Sequence, residues 1–377
     1  MTLKVRDEVD ILEANLRYHA CLGVDHFIAT DSGSQDGSLE VLDRWQSAGR
    51  LTLITEPPED FYSKAQEWVT RMARLAATDL EADWVIHNDA DEFWWPLPGG
   101  TLPETLGSVS DSAGVVVAPR SDFVARPDGP GSFTDRLVFR ERHSQIPPKL
   151  AHRARADIVV LNRGAHAVDI AAATKGKAAY SDGRAVLRPV RTQPPVDDPL
   201  AWAPEFPICV LHFPVRSEAQ FRRRVEGALK GGFDDQGMIR QLRERYESEG
   251  VGGLYADLLL SDDQLEAALR DGRLVRDTRV RDFLKKCPDP LATPGPLPTP
   301  ARRSGAEVEQ DIAQARSEAL AALARMQRSL FAQARNAQSR QRVLRQRLDE
   351  ERARNRDVGA KRTGIPRLGR LPRRRAR

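Results

Sequence analysis

Residues 2–95 alternate four short β-favouring runs with three helical patterns, and that order leaves few folds open. The runs are 2–5 (TLKV), 24–29 (VDHFIA), 51–55 (LTLIT) and the stretch that begins at Trp84. After the first run, Ile11, Leu12, Asn15, Leu16 and His19 recur at spacings of three and four, which puts them on one helix face. Asp7 reads as the N-cap of that helix and Gly23 as its stop. Residues 39–45 form a second helical pattern. A third, over 62–77, sets Trp68, Met72 and Leu75 on one side and Lys64, Arg71 and Arg74 on others. Strands alternating with helices predict an α/β fold, a mostly parallel sheet covered by helices.

The fourth run carries the most chemistry. In WVIHNDADEFWW, Trp84, Val85 and Ile86 read as a buried strand, so Asp89, Asp91 and Glu92 fall at its C-terminal end, where open α/β sheets place ligands. In extended backbone, residues two apart point to one side, so Asp89 and Asp91 are expected to face one cation together. Acidic residues after a strand also serve as turn formers, and Trp94 and Trp95 read as packing. A second acidic turn, DSGSQDGS over 31–38, follows the second run. Its following helix offers free N–H groups to an anion, Asp31 can accept hydrogen bonds, and Asp36 reads as a helix cap.

Charge narrows the partners. Residues 351–377 carry ten Arg and one Lys against Glu351 and Asp357, a local +9, so the chain's net +4 leaves −5 on residues 1–350. The chain as a whole is therefore not built for nucleic acid, and the basic tail is the part suited to anionic lipid head groups. Cys21, Cys209 and Cys287 are far apart and odd in number, which gives no disulfide framework or zinc spacing and points to a reducing compartment. With no N-terminal hydrophobic signal and no apolar run of about 18 residues, a cytoplasmic protein, soluble or peripheral to the inner face of the membrane, is expected.

Beyond Pro96, residues 114–119, 136–140, 157–161 and 208–213 read as further strands, 218–229 as a basic helix, and 232–287 as a helical part of the same domain. PDPLATPGPLPTP has six prolines in thirteen residues, so 288–301 is read as a linker. Residues 302–356 are read as helical. Val308, Ile312, Ala315, Ala319, Ala322 and Met326 make a four-three seam that suits a weak coiled coil, hence a homo-oligomer, or a docked amphipathic helix. Residues 357–377 form the basic tail, expected to be disordered.

The segment VRDEVDILEANLRYHACLGVDHFIATDSGSQDG, followed by DWVIHNDADEFW and a late HFPVRS, resembles the family 2 type of glycosyltransferase, with the GT-A fold and a DxD motif, in a bacterial branch that carries DADEFW and HFPVRS. The resemblance covers roughly residues 1–230 and departs from the family in having Arg6-Asp7-Glu8 where Asn-Glu is commoner. It implies a GT-A-type mostly parallel sheet over 1–287, with the C-terminal helices as an extension. It further implies inverting transfer of a sugar from a nucleotide-sugar donor to a glycan or lipid-linked acceptor.

The residues suit that chemistry. A diphosphate leaving group develops charge, and Asp89 and Asp91 offer hard oxygen ligands to Mn²⁺ or Mg²⁺. By resemblance, Asp91 is the direct ligand, Asp89 reaches the ribose or the metal, and Asp31 meets the nucleobase. Arg6 and Arg71 are the candidates near base or phosphate. His212, between Leu211 and Phe213, reads either as a core histidine or as a further metal ligand. Inversion needs a base beside the acceptor hydroxyl, for which Asp169, His166 and Asp122 compete. The rival readings are a nucleotidyltransferase, which would want a glycine-rich phosphate loop near Lys4, and a non-catalytic glycan- or partner-binding scaffold.

Overall fold

The computed structural model describes residues 1–143, 146–161, 164, 168–170, 206–230, 236–292, 299–303, 305–322, 324 and 325. The alternation in the first third builds the main sheet. β1 (Thr2–Val5), α1 (Val9–Cys21), β2 (Phe27–Asp31), α2 (Ser38–Ser47), β3 (Leu51–Thr55), α3 (Ala65–Thr78) and β4 (Trp84–Asp89) follow in order. β3, β2, β1 and β4 lie side by side and parallel. The five periodic residues of α1 are all buried, as are Trp68 and Met72 of α3, so the apolar faces read from the sequence are the ones packed against the sheet.

Two strands extend the sheet beyond β4. β6 (Val115–Ala118) was legible as a run of valines, but its neighbour β9 (Lys149–Arg153) was not, because KLAHR carries three basic residues. β9 lies between β4 and β6 and runs against both, giving a mixed α/β sheet of six strands that is mostly parallel and flanked by helices. Its polar side chains are tied inside. His152 gives its Nδ1 proton to the carbonyl of Arg153 (2.8 Å), and its Nε2 accepts from His87 (2.9 Å). The Nδ1 of His87 takes the Thr2 hydroxyl (2.9 Å). Burial pushes His152 down to about 4, so this chain across three strands is neutral.

A second sheet orders β5 (Glu92–Pro96), β12 (Ile208–His212) and β7 (Arg120–Asp122), with β12 antiparallel to β5 and parallel to β7. Residues 136–140 are not one strand. Ser132 and Asp135 form a reciprocal cap that turns Phe133–Arg136 into α5, and the strand that follows, β8, is Phe139–Glu141. The remaining elements are α4 (Leu102–Gly107), the β10–β11 hairpin (Ile158–Val160 and Val168–Ile170), α6 (Glu218–Lys230), α7 (Gln236–Ala256), α8 (Asp262–Arg270), β13 (Leu274–Arg276) paired with β8, and α9 (Arg279–Leu284). No helix among the described residues is long and apolar enough to cross a membrane.

Asp7 does not cap α1. It sits at φ 55° with its carboxylate accepting from the Gln35 N–H (2.8 Å), while Asp36 accepts from Val9 N (3.1 Å) and from Ser38 N (3.0 Å). One carboxylate thus serves the first N–H of both α1 and α2.

Residues 306–322 are helical, and their seam faces the body of the protein: Ala315 and Ala319 join the main core, with Ile312 and Leu320 packed against it. This docked face is the amphipathic alternative of the two read from the spacing; Met326 and the basic tail lie outside the described residues. The approach to this helix runs along the loop after β5. Gly100 N–H bonds the Pro300 carbonyl (2.9 Å), Arg303 N–H the Pro98 carbonyl (2.6 Å), and Arg302 pairs with Glu104 (2.8 Å).

Gly99 is required here, because it sits at φ 75° and a Cβ would stand 2.0 Å from the Ala301 carbonyl oxygen. Gly99→Ala is therefore expected to lower stability by at least about 1–2 kcal/mol from the backbone conformation alone. It should also open residues 299–303 to protease, read by thermal melting and by limited proteolysis with mass spectrometry of the fragments.

Candidate functional site

The acidic stretch is not one extended strand. β4 stops at Asp89, Ala90 and Asp91 turn, and β5 starts at Glu92, so the two-residue alternation expected to align Asp89 with Asp91 is broken. The turn is held from behind by α1. The Asn15 amide donates to the carbonyls of Ala90 (2.9 Å) and Glu92 (2.7 Å), on either side of Asp91. Asn15 Oδ1 accepts from Asn88 (3.0 Å), whose own oxygen accepts from the Trp94 indole (3.0 Å). His19 gives its Nδ1 proton to the Asn15 carbonyl (2.9 Å) and accepts the Trp94 N–H at Nε2 (3.1 Å). Burial pushes His19 down to about 3, which keeps it neutral and able to accept. From the front, Phe213 N–H bonds the Asp91 carbonyl (2.8 Å).

The turn sends its carboxylates into two different environments. On one side, Asp89 meets Lys149 at 2.6 Å and Lys4 at 3.5 Å. Glu92 meets the same Lys149 at 2.9 Å and Arg120 at 2.7 Å. Burial opposes ionisation of Asp89, but Lys149 and Lys4 override it and hold its carboxyl well below the usual range. Lys149 is raised in turn: its burial disfavours the charge and the two carboxylates outweigh that.

On the other side, Asp91 lies 3.3 Å from His212 Nε2, and His212 donates from Nδ1 to Asp122 at 2.6 Å. Arg216, almost fully buried, pairs with Glu8 and with Asp10 (2.7 Å) and donates to the Phe213 carbonyl (3.1 Å). Its guanidinium and that of Arg224 approach Asp91 at 4.0 and 3.8 Å. Burial works against a charge on His212, yet Asp91 and Asp122 on its two sides raise it to about 9. Burial pushes Glu8 up to about 7 against the pull of Arg216. Burial likewise opposes the charge of Asp91, and His212, Arg224 and Arg216 hold it ionised.

Both environments open on one cavity of 480 Å³, beyond the C-terminal ends of β1 and β4. Of the residues singled out from the sequence, Arg6, Asp89, Asp91, Asp122 and His212 line it. Arg71 does not: it pairs with Glu56 (2.6 Å) on the exposed side of α3. Asp31 does not line it either; its Oδ2 accepts from Gly33 N (3.0 Å) and Ser34 N (3.1 Å), so it organises its own loop. Asp169 sits in the β10–β11 hairpin, opposite Val159 and away from the cavity lining, and His166 lies outside the described residues.

Lys4, Arg120, Lys149, Glu8 and Arg216 were not singled out as part of this constellation. A basic residue beside leucine and alanine in KLAHR was the one signal for Lys149. The arginine of HFPVRS was the signal for Arg216.

Asp91, Glu92 and His212 each offer one ligand atom, and these atoms lie within 4.8 Å of one another. Glu92 is engaged at short range by Lys149 and Arg120, and Asp89 by Lys149, whereas Asp91 and His212 face each other at 3.3 Å across the space an ion would take. Asp89 and Asp91, expected from the sequence to face one cation together, are sent by the turn to different partners, Lys149 and His212. A carboxylate oxygen with an imidazole nitrogen suits Mn²⁺ better than Mg²⁺, and ligation by His212 requires its Nε2 proton to leave.

No protein-family model matches the chain, and no curated protein matches it. Among solved structures, the chain is similar to the 1–349 fragment of S. aureus TarS at 11% identity and a TM-score of 0.32, over 72% of this chain and 78% of that one. The same fragment in complex with UDP gives 9% identity and a TM-score of 0.32, over 87% and 90%. Scores of that size transfer neither a fold nor an activity.

Two outcomes follow from the geometry. Asn15→Leu strands the buried carbonyls of Ala90 and Glu92, so a loss of about 1–3 kcal/mol for each group left unpaired is expected in denaturant unfolding. His212 binds its proton more tightly folded than unfolded, so its contribution is complete below its ordinary value of 6.5 and is lost as pH rises through about 9. Glu8 acts in the same direction between 4.5 and about 7. The melting temperature should fall from pH 6.5 to 9, and His212→Gln should flatten that part of the profile.

Proposed function

We propose that the protein is a glycosyltransferase that binds a nucleotide-sugar in the 480 Å³ cavity and passes the sugar, with inversion, to a hydroxyl of a glycan or lipid-linked acceptor. The observation that carries the reading is the division of the DADE turn: Asp91 with His212 suits a divalent cation, and Asp89 with its lysines suits a phosphate, both at the end of a parallel sheet. The resemblance of the DSGSQDG, DADEFW and HFPVRS segments to family 2 enzymes supports the same class.

In this reading Asp91 and His212 would hold Mn²⁺ or Mg²⁺, which would supply positive charge to a departing diphosphate. Asp122 is the base candidate that lines the cavity, and His212 fixes its orientation. It takes the proton of the acceptor hydroxyl as the new C–O bond forms on the face opposite the leaving group. Arg6, anchored by the Pro58 carbonyl (2.7 Å) and lying over the Phe61 ring, stands at the donor side. The nucleotidyltransferase alternative wants a glycine-rich loop after β1, where this chain has Arg6-Asp7-Glu8.

The test is a panel of nucleotide-sugars with and without Mn²⁺, with sugar transfer to water or to a glycan acceptor read by chromatography. Asp122→Asn should slow turnover by roughly 10²–10⁴-fold, the range of general base catalysis. Asp91→Asn should abolish the dependence on metal. Equal turnover in Asp91→Asn, or in EDTA, would remove the metal-assisted transferase.

A further inference from the structure

We propose that Cys21 and Cys287 are a dithiol pair that a peroxide oxidises to an intramolecular disulfide, fastening the segment after α9 to the C-terminal end of α1. The pair lies apart from the cavity and does not depend on the transferase reading.

The register of two helices brings the thiols together. Arg17 of α1 donates to the Leu284 carbonyl of α9 (2.7 Å), and the Tyr18 and Phe283 rings meet edge to face with centroids 5.3 Å apart. One helical turn further along each segment stand Cys21 and Cys287. Cys287 is still on the helical path, since its N–H bonds the carbonyls of Phe283 (3.1 Å) and Leu284 (3.3 Å). Both side chains belong to the main core, where the Cys287 thiol donates a hydrogen bond to the Cys21 sulfur. Thiols in contact meet the first requirement of a disulfide, that the two side chains converge. Cysteines too far apart in the sequence to suggest a bridge are thus neighbours in the fold. Cys209 is placed differently, on β12, where its sulfur meets the Arg279 guanidinium (3.9 Å).

The contact makes the two thiols unequal. The hydrogen bond from Cys287 holds Cys21 below the ordinary thiol value, with the Arg17 charge adding to it against burial. The same bond, together with burial, pushes Cys287 up. Arg17 has its Nε buried without a hydrogen-bond partner among the described residues, so this cation has donor capacity to spare. Cys21 is therefore the attacking thiolate and Cys287 the resolving thiol. A small oxidant reaches the pair from the side of Cys287, which is flanked by exposed Lys285, Lys286 and Asp289.

The Cys21 thiolate attacks one oxygen of hydrogen peroxide, and the O–O bond breaks. The hydroxide released takes up the proton that Cys21 gave up and leaves as water, with Cys21 now a sulfenic acid. The Cys287 sulfur then attacks the Cys21 sulfur. The S–S bond forms, the S–O bond breaks, and the hydroxyl leaves with the Cys287 proton as a second water. Two thiols have passed two electrons to one peroxide, and a dithiol reductant reverses the bond. The closed form ties α1, which carries Asn15, to the segment that leads to the docked helix.

The experiment treats the folded full chain with hydrogen peroxide, blocks remaining thiols in denaturant, and digests with trypsin without reductant. Peptides 18–44 and 287–302 are expected as one linked species, two hydrogens lighter than their sum, which dithiothreitol separates. Free thiols titrated in denaturant should fall from three to one. The melting temperature should rise by about 5 °C, a rise that persists in Cys209→Ser and vanishes in Cys21→Ser and Cys287→Ser. The peptide map is made on the unsubstituted chain, so it decides the matter even if a serine variant does not fold. No linked peptide after peroxide, a link made through Cys209, or a link found only between two copies of the chain overturns the pair.

Discussion

The Asn15 amide and the two carbonyls it bonds, those of Ala90 and Glu92, carry the architecture of this protein. A turn between two buried strands leaves backbone acceptors without ladder partners, and buried acceptors must be met. Asn15 meets them from a helix that the sheet has already packed, and the pair Asn88 and Trp94 locks its orientation. Asp91 is then projected forward from a turn that cannot relax into a continuous strand. The reversal also takes the chain out of the main sheet, since β4 belongs to one sheet and β5 to another.

The separation of Asp89 from Asp91 follows from that turn, and the electrostatics follow from the separation. Each carboxylate is ionised by a different set of partners drawn from distant parts of the chain. Asp89 answers to β1 and β9, and Asp91 to the end of β12 and to α6. Buried charges of this kind persist only where partners and hydrogen bonds surround them, so the site is also a structural node. Arg216 shows the same economy, fastening the start of α1 to the segment after β12 through Glu8 and Asp10.

Much of the fold was legible in the first third of the chain. The buried faces of α1 and α3 and the strands β1, β3 and β4 appear where apolar periodicity put them, because each element buries one side and the spacing records which. β9 was hidden because its basic residues find buried partners, so its composition does not look like a core strand. The cap of α1 was misplaced for a related reason: Asp36, 28 residues from Glu8, reaches across to it, and local capping rules see only neighbours. In the candidate site, Asp91, Asp122 and His212 could be picked by residue type, and the structure joins them within one hydrogen-bonded line. Asp31 and Arg71 could be picked in the same way, yet their partners lie in their own loop and on their own surface.

By itself, the sequence determined the order of strands and helices in the first third of the chain, the apolar faces of α1 and α3, and the place of an acidic turn at the end of a strand, since these depend on periodicity and composition within short windows. Only the tertiary structure decided which charge each acidic residue faces. Lys4, Lys149, Arg120 and Arg216 reach the DADE turn from four separate segments, and Coulomb interactions depend on distance in space, which separation along the chain does not encode.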